Sequence, residues 1–110
     1  MSVQNQSLHL FGSSHHLADL GIREKINLPA SAIDEFYQGL SQLPGLEECL
    51  LLNTCNRTEI YGAANNGFSP NLLCEYLSEF RKIDYDFIAQ HSYQHSGEKV
   101  VKHLFEVSSG

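Results

Sequence analysis

The stretch CLLLNTCNRTEIYGAA, Cys49 to Ala64, sets the fold class of this 110-residue chain. Cys49 to Leu52 is a short continuous apolar run, which fits a strand buried on both faces better than half of an amphipathic helix. After Thr54, Cys55 and Asn56, the run Arg57 to Ala64 alternates and stops at the turn formers Asn65, Asn66 and Gly67. Two strands joined through a tight turn follow, with Cys55 at or near the tip.

Upstream of this hairpin, Ser7 to Gly12 (SLHLFG) sets Leu8 and Leu10 on one face and His9 and Phe11 on the other, the period of a strand. Between Pro29 and Leu43, Ile33, Phe36, Tyr37 and Leu40 recur at helical spacing, and Ser31 with Asp34 resembles a capping pair at the start. That helix ends near Pro44 and Gly45. Downstream, Ser69 and Pro70 signal a second helix start, followed by Leu73, Tyr76, Leu77 and Phe80 on one stripe. His91 to His95 gives a weak last strand, and from Ser96 onward Val100, Val101, Leu104, Phe105 and Val107 make an apolar helix face. The order strand, helix, strand, strand, helix, strand, helix predicts an α+β fold, a ferredoxin-like split βαβ sheet with helices on one face. Gly110 arrives while the last helix is still amphipathic, so the natural chain is expected to continue.

At 110 residues the chain is one domain, and 42% apolar residues suffice for a core without metal or disulfide staples. Seven Lys and Arg against thirteen Asp and Glu give a net charge of −6, which argues against broad attraction to polyphosphate; nucleic acid would have to be gripped locally. Cys49, Cys55 and Cys74 are an odd number without a Cys-x-x-Cys pair, which disfavours a disulfide framework and a zinc site, and favours reduced thiols in a cytoplasm. Met1 to Ser7 lacks the features of a targeting segment, and no run approaches the ~18 apolar residues of a membrane span. The histidines at 9, 15, 16, 91 and 95 show no ligand spacing with the cysteines, so no metal is assigned.

Chemistry concentrates in LLNTCNRTEIYG, Leu51 to Gly62. A cysteine on a turn between strands, with Arg57 two residues on and the polar groups of Thr54 and Asn56 beside it, is placed for exposure and thiolate formation. Cys55 is therefore either a nucleophile or a small buried hydrophobe; Cys49 and Cys74 keep the second reading. His103 shares a helical stripe with Val100 and Val107 and faces inward, as a catalytic group or as a core histidine in need of a partner. Arg57 is a guanidinium suited to clamp a carboxylate, or a solvated strand-edge cation. Thr54 and Asn56 either position a ligand or satisfy the backbone of the turn.

TCNRTEIY, Thr54 to Tyr61, resembles the signature of the glutamyl-tRNA reductase family. Gly12 to Glu24 (GSSHHLADLGIRE) is similar to that family's amino-terminal Gly-x-Asn-His-Lys-Thr-Ala-Pro segment with its following Ile-Arg-Glu, and Gly97 to Gly110 (GEKVVKHLFEVSSG) resembles the helix bearing its important histidine. His15, Arg23 and Glu24 match; Ser14, His16, Leu17 and Asp19 stand where the family commonly has Asn, Lys, Thr and Pro. The resemblance spans the whole chain, 1–110, as the family's amino-terminal catalytic domain, cut before its NADPH-binding and dimerisation domains.

The resemblance implies reduction of glutamyl-tRNA to glutamate-1-semialdehyde, the entry to tetrapyrrole (porphyrin) biosynthesis, through a thioester on Cys55. It implies Thr54, Cys55, Asn56 and Arg57 as the substrate site and His103 as an assisting group. NADPH would bind a domain absent here, since no Gly-x-Gly-x-x-Gly is present. A cytoplasmic homodimer without membrane association, channelling its product to glutamate-1-semialdehyde aminomutase, completes the implied picture. The rivals are a non-enzymatic ferredoxin-like ligand-binding or interaction module and a redox-sensing cysteine.

Overall fold

Alternation along the first apolar segment produces strand β1 (Ser7–Ser14) in the computed structural model, which describes residues 7–14, 19–65 and 67–108. The chain continues through α1 (Leu20–Ile26), a 3-10 turn at Ala30–Ala32 that leads into α2 (Ile33–Leu40), β2 (Leu46–Thr54) and β3 (Arg57–Ala64). It then forms α3 (Asn71–Arg81), α4 (Tyr85–Gln90), β4 (Tyr93–Ser96) and α5 (Glu98–Ser108). Strand order is β2-β3-β1-β4, with every neighbouring pair antiparallel. Strand β3 thus lies between β1 and β2, and β1 between β3 and β4, so both halves are split βαβ units, the ferredoxin-like arrangement.

Period-two alternation gives the sheet two apolar faces. Phe11 and Ile60 join one core with Ile26 of α1, Phe36 and Leu40 of α2, Leu73 and Leu77 of α3, and Ile88 of α4. Leu10 and Tyr61 point the other way and pack with Val100 of α5. The expected layer of helices on one face is therefore built by α1 to α4, and α5 departs from it by lying on the opposite face. Only Val100 of the α5 stripe is buried; Val101, Leu104 and Phe105 are exposed.

Three local expectations are corrected. Strand β2 is not buried on both faces: it is an edge of the sheet, and Leu50 is 52% exposed. Its apolar run resembled an interior strand because Leu51 packs on the main core and Leu52 on the smaller one. Ser31 and Asp34 do not cap α2, whose cap residue is Ala32 with no side-chain bond, because the 3-10 turn already supplies the entry. Helix α3 begins beside Ser69 and Pro70 as expected, yet no side chain caps it. Helices α1 and α4 are additions to the expected order. Each is capped by an aspartate: Asp19 accepts from the Ile22 N–H and Asp84 from the Phe87 N–H.

The turn into β2 depends on Gly45, which has φ +88° and a position where a Cβ would come within 2.8 Å of the Phe68 backbone. Helices α2 and α3 are joined by Phe36, fully buried, whose ring lies 4.9 Å from Tyr76 and 5.0 Å edge-on from Phe80. The Tyr76 hydroxyl also donates to the Phe36 carbonyl at 2.8 Å. Phe36→Ala should cost about 3–5 kcal/mol, read as a lowered urea midpoint with an unchanged slope.

Candidate functional site

Cys55 and Asn56 form the two-residue turn between β2 and β3, directly after the last ladder pair, Thr54 with Arg57. The Thr54 hydroxyl accepts the backbone N–H groups of Asn56 (3.2 Å) and Arg57 (3.3 Å), so it closes the turn from inside. From outside, α1 grips the same backbone. Arg23 Nη1 donates to the Cys55 carbonyl at 2.6 Å, and Asn27 Nδ2 donates to the Thr54 carbonyl at 2.7 Å and to Thr58 Oγ1 at 3.0 Å. Below the tip, the Asn53 amide pairs with both backbone groups of Leu28, accepting at 3.1 Å and donating at 2.9 Å. A hairpin end that would otherwise fray is thereby fixed, with Cys55 exposed upon it.

Arg57, Glu59 and Tyr61 share the face of β3 that α5 covers. Glu59 has no solvent exposure, and its carboxylate collects donors from four directions. Tyr61 Oη donates to Oε1 at 2.7 Å; Oε2 receives the Tyr93 hydroxyl, Arg57 Nη1 at 3.3 Å and His103 Nε2 at 2.6 Å. Burial pushes the Glu59 carboxyl upward, but the hydrogen bonds from Tyr61, Tyr93 and His103 and the charge of His103 outweigh it and hold it below its ordinary value. The phenols respond oppositely: burial first, then the bond to Glu59, pushes Tyr61 and Tyr93 well above the usual range. An ionised carboxylate only accepts, so His103 carries a proton on Nε2, and when neutral its Nδ1 is the basic atom. Gly12 lies opposite Glu59 in the ladder, where a Cβ would come within 2.7 Å of Glu59 Cγ and 3.0 Å of the Thr58 carbonyl. Glycine makes room for the carboxylate.

Of the residues singled out from sequence, Arg57 and His103 are brought together, both on Glu59 Oε2. Cys55 stands apart from that pair, at the border of a cleft that Arg23, Asn27 and Arg81 line and Arg57 and His103 do not. Thr54 serves the turn, and Asn56 is exposed. The inward His103 has the partner it required. Cys74 is buried, its thiol pushed up to about 11 by burial and then by Glu75, and burial also raises Cys49. Asp19, which replaces a proline of the family pattern, caps α1; His15, His16 and Leu17 lie outside the described residues. Among the described residues no group of His, Cys, Asp and Glu is arranged to hold a metal, and no helix is long and apolar enough to cross a membrane.

Sequence reasoning missed Glu59, Tyr93, Arg23 and Asn27 as parts of this arrangement. A signal for Glu59 existed: Arg57, Glu59 and Tyr61 alternate along one strand, which puts a carboxylate between a cation and a phenol on one face.

Fold and site together define an α+β domain of ferredoxin-like topology that presents a cysteine on a latched hairpin. The profile of the family described as "Glutamyl-tRNAGlu reductase, N-terminal domain" matches residues 11–110. A glutamyl-tRNA reductase of Desulforudis audaxviator is 39% identical over 100 residues, 90% of this chain and 22% of that protein. One of Idiomarina loihiensis is 33% identical over 104 residues, 94% of this chain and 24% of that protein. The solved structure of glutamyl-tRNA reductase from Methanopyrus kandleri superposes with a TM-score of 0.63 at 25% identity, over 94% of this chain and 22% of that one. The chain belongs to the glutamyl-tRNA reductase N-terminal domain family, and it spans less than a quarter of the length of these relatives.

Because the Glu59 carboxyl is held below its unfolded value near ~4.3, the stability it contributes is fully present above that pH and is lost as pH falls through the lowered value. Glu59→Gln should lower stability at pH 7 by about 2 kcal/mol or more. Its urea midpoint should also fall less between pH 5 and 3 than that of the parent chain. Parallel pH profiles for the two would refute the ionised assignment.

Proposed function

We propose that this chain is the acyl-accepting domain of a glutamyl-tRNA reductase, with Cys55 taking the glutamyl group from glutamyl-tRNA as a thioester. The observation that bears most weight is the exposed Cys55 on a two-residue turn held by Arg23 on the Cys55 carbonyl and by Asn27 on the carbonyl of the preceding Thr54. A nucleophile must be both accessible and fixed, and a latched hairpin apex meets both needs. The thiolate attacks the ester carbon, the C–S bond forms, and the C–O bond to the 3′ oxygen of the terminal ribose breaks. The thiol's proton ends on the released hydroxyl, so atoms and charge balance without a co-reactant.

Esterification consumes the α-carboxyl of glutamate, which leaves its side-chain carboxylate as the anion available for recognition. Arg57 is suited to it: a guanidinium has five N–H donors, and the bond to Glu59 uses one. Glu59 acts as a positioning residue, orienting Arg57 and fixing the proton of His103 on Nε2, which leaves Nδ1 to accept or return a proton. Thr54 supports the site through the turn itself, and Asn56 stands exposed beside the nucleophile.

Cysteine suits the task because a thioester accepts hydride more readily than an ester, and the tetrahedral adduct then expels sulfur. The residues present do not fit the hydride donor, NADPH. The sheet is wholly antiparallel, so it lacks the crevice at parallel strand ends, with its Gly-rich strand-to-helix turn, in which dinucleotides bind. The reductive step is therefore not assigned to this chain. In the complete enzyme it would deliver glutamate-1-semialdehyde to tetrapyrrole synthesis.

Cys55→Ser should leave the denaturation midpoint nearly unchanged and lower the rate of glutamyl transfer from glutamyl-tRNA by about a thousandfold or more, followed by mass spectrometry of the protein. A wild-type yield of adduct in that variant would remove Cys55 from the reaction. Arg57→Lys keeps the charge and loses the planar fork. Its preference for glutamyl-tRNA over glutaminyl-tRNA should drop about tenfold in competition acylation; retained selectivity would mean that the guanidinium does not read the substrate carboxylate.

A further inference from the structure

Strand β4 forms the edge of the sheet beside β1, and its register fixes which side chains share a face there: His9 lies opposite Ser96, and Phe11 opposite Gln94. Phe11 belongs to the main core, so His9, Gln94 and Ser96 are on the α3 side of the sheet, away from Glu59 and its partners. A cavity of about 230 Å³ lies at this edge, lined by His9, Gln94, Ser96, Lys99, Pro70 and Leu73. Leu10 and His95 also border it; the ring of His95 stacks on Tyr93 and His103. None of Thr54, Cys55, Asn56, Arg57 and His103 lines it.

The buried wall of the cavity has an unmet hydrogen-bonding need. His9 is 9% exposed, with its ring 5.2 Å from that of Phe68. Its Nε2 meets Ser7 Oγ at 2.8 Å, and Ser7 Oγ in turn reaches the Ala64 carbonyl at 3.5 Å. A hydroxyl carries one proton. With that proton turned to the carbonyl, Oγ accepts from Nε2–H, and Nδ1 is left as a bare lone pair. Among the described residues Nδ1 has no hydrogen-bond partner. Burial holds the ring below its ordinary pKa, so a second proton does not relieve the vacancy near neutral pH. A buried acceptor without a donor is costly, and the cavity that His9 walls is where a donor can stand.

The remaining lining calls for negative charge. Lys99 brings an ammonium, Gln94 an amide and Ser96 a hydroxyl. Pro70 and Leu73 belong to the start of α3, an 11-residue helix that no side chain caps, so the positive end of its dipole is not met by a side chain of the chain itself. No carboxylate lines the cavity, although 13 of the 110 residues are Asp or Glu. Glu98, beside Lys99, is exposed at the start of α5. The occupant must therefore bring both an anionic oxygen and an O–H to give to Nδ1. Carboxylates and sulfate have the charge without the proton near neutral pH, and water has the proton without the charge. Hydrogen phosphate has both. Size agrees, because the volume is below the ~300–1,000 Å³ of sites for drug-sized ligands.

We propose that this cavity is a binding site for hydrogen phosphate, which donates its O–H to His9 Nδ1 and turns its anionic oxygens to Lys99 and the start of α3. Ser96 and Gln94 complete the ring of donors. The site joins β4, α3 and α5 on the side of the sheet away from Glu59, and it would hold whether or not Cys55 accepts an acyl group.

The test titrates the 110-residue chain with inorganic phosphate by NMR at constant ionic strength, with sulfate in parallel. Saturable shifts are expected at Ser96, Lys99 and the ring nitrogen Nδ1 of His9. Sulfate, of the same shape but without a proton, should bind about tenfold more weakly, as should Lys99→Ala with phosphate. Lys99 is exposed, so that variant is expected to fold. Methyl phosphate separates the free ion from an ester: at about pH 8 an ester with a second pKa near ~6 has lost its last proton, whereas inorganic phosphate keeps one. The ester should then bind about tenfold more weakly than phosphate. His9→Phe should abolish the preference for phosphate over sulfate; should that variant fail to fold, the Nδ1 resonance of the parent chain reports the same bond. Absence of saturable binding at tens of millimolar phosphate, equal binding of sulfate or of the deprotonated ester, an unmoved His9 Nδ1 resonance, or undiminished binding in Lys99→Ala would each overturn the assignment.

Discussion

A carboxylate with no access to water sits at the middle of β3, and the arrangement of the α5 face follows from its need for donors. Burying an unpaired carboxylate is far too costly to persist in a domain of this size. Glu59 therefore requires that Tyr61, Tyr93, Arg57 and His103 converge on it. Two of those donors come from β4 and α5, so the requirement docks the carboxyl-terminal part of the chain onto the sheet. The small apolar cluster of Leu10, Tyr61 and Val100, with Leu52 and Tyr93 packed against it, lies beside these bonds. The same convergence sets a cation and an imidazole side by side at a fixed separation. An apolar residue in place of Glu59 would leave both without orientation.

The other face works by a different physical means. There the main core, spanning α1 to α4, places α1 so that Arg23 and Asn27 reach the backbone of the hairpin tip. Charge-assisted and amide bonds to carbonyls immobilise a turn that has no core of its own. Cys55 can be exposed and still ordered, because what holds it is its backbone and its side chain is not needed for packing.

Much of this was legible in the residues. The alternation of Leu8 and Leu10 against His9 and Phe11 read correctly as a two-faced strand, the stripes of α2 and α3 read as helices, and the inward direction of His103 followed from its spacing to Val100 and Val107. Helix α1 was not legible because Ile26 is its one fully buried residue, Ile22 packs on the core only in part, and its first residue is an exposed leucine. Helix α4, six residues long, is too short to show a period. The edge position of β2 escaped notice because a strand whose two faces each touch a core resembles an interior strand until its neighbours are counted.

By itself the sequence determined the local periods, the turn at Cys55 and Asn56, and the family signature Thr54 to Tyr61, since each depends on residues close together in the chain. Only the tertiary structure decided which groups meet. The partners of Glu59 lie 34 and 44 positions away at Tyr93 and His103, and the cation on the Cys55 carbonyl comes from 32 positions upstream. Hydrogen bonds of that span are fixed by strand order and helix docking, which result from burial of the whole apolar surface, and no short window of residues contains that information.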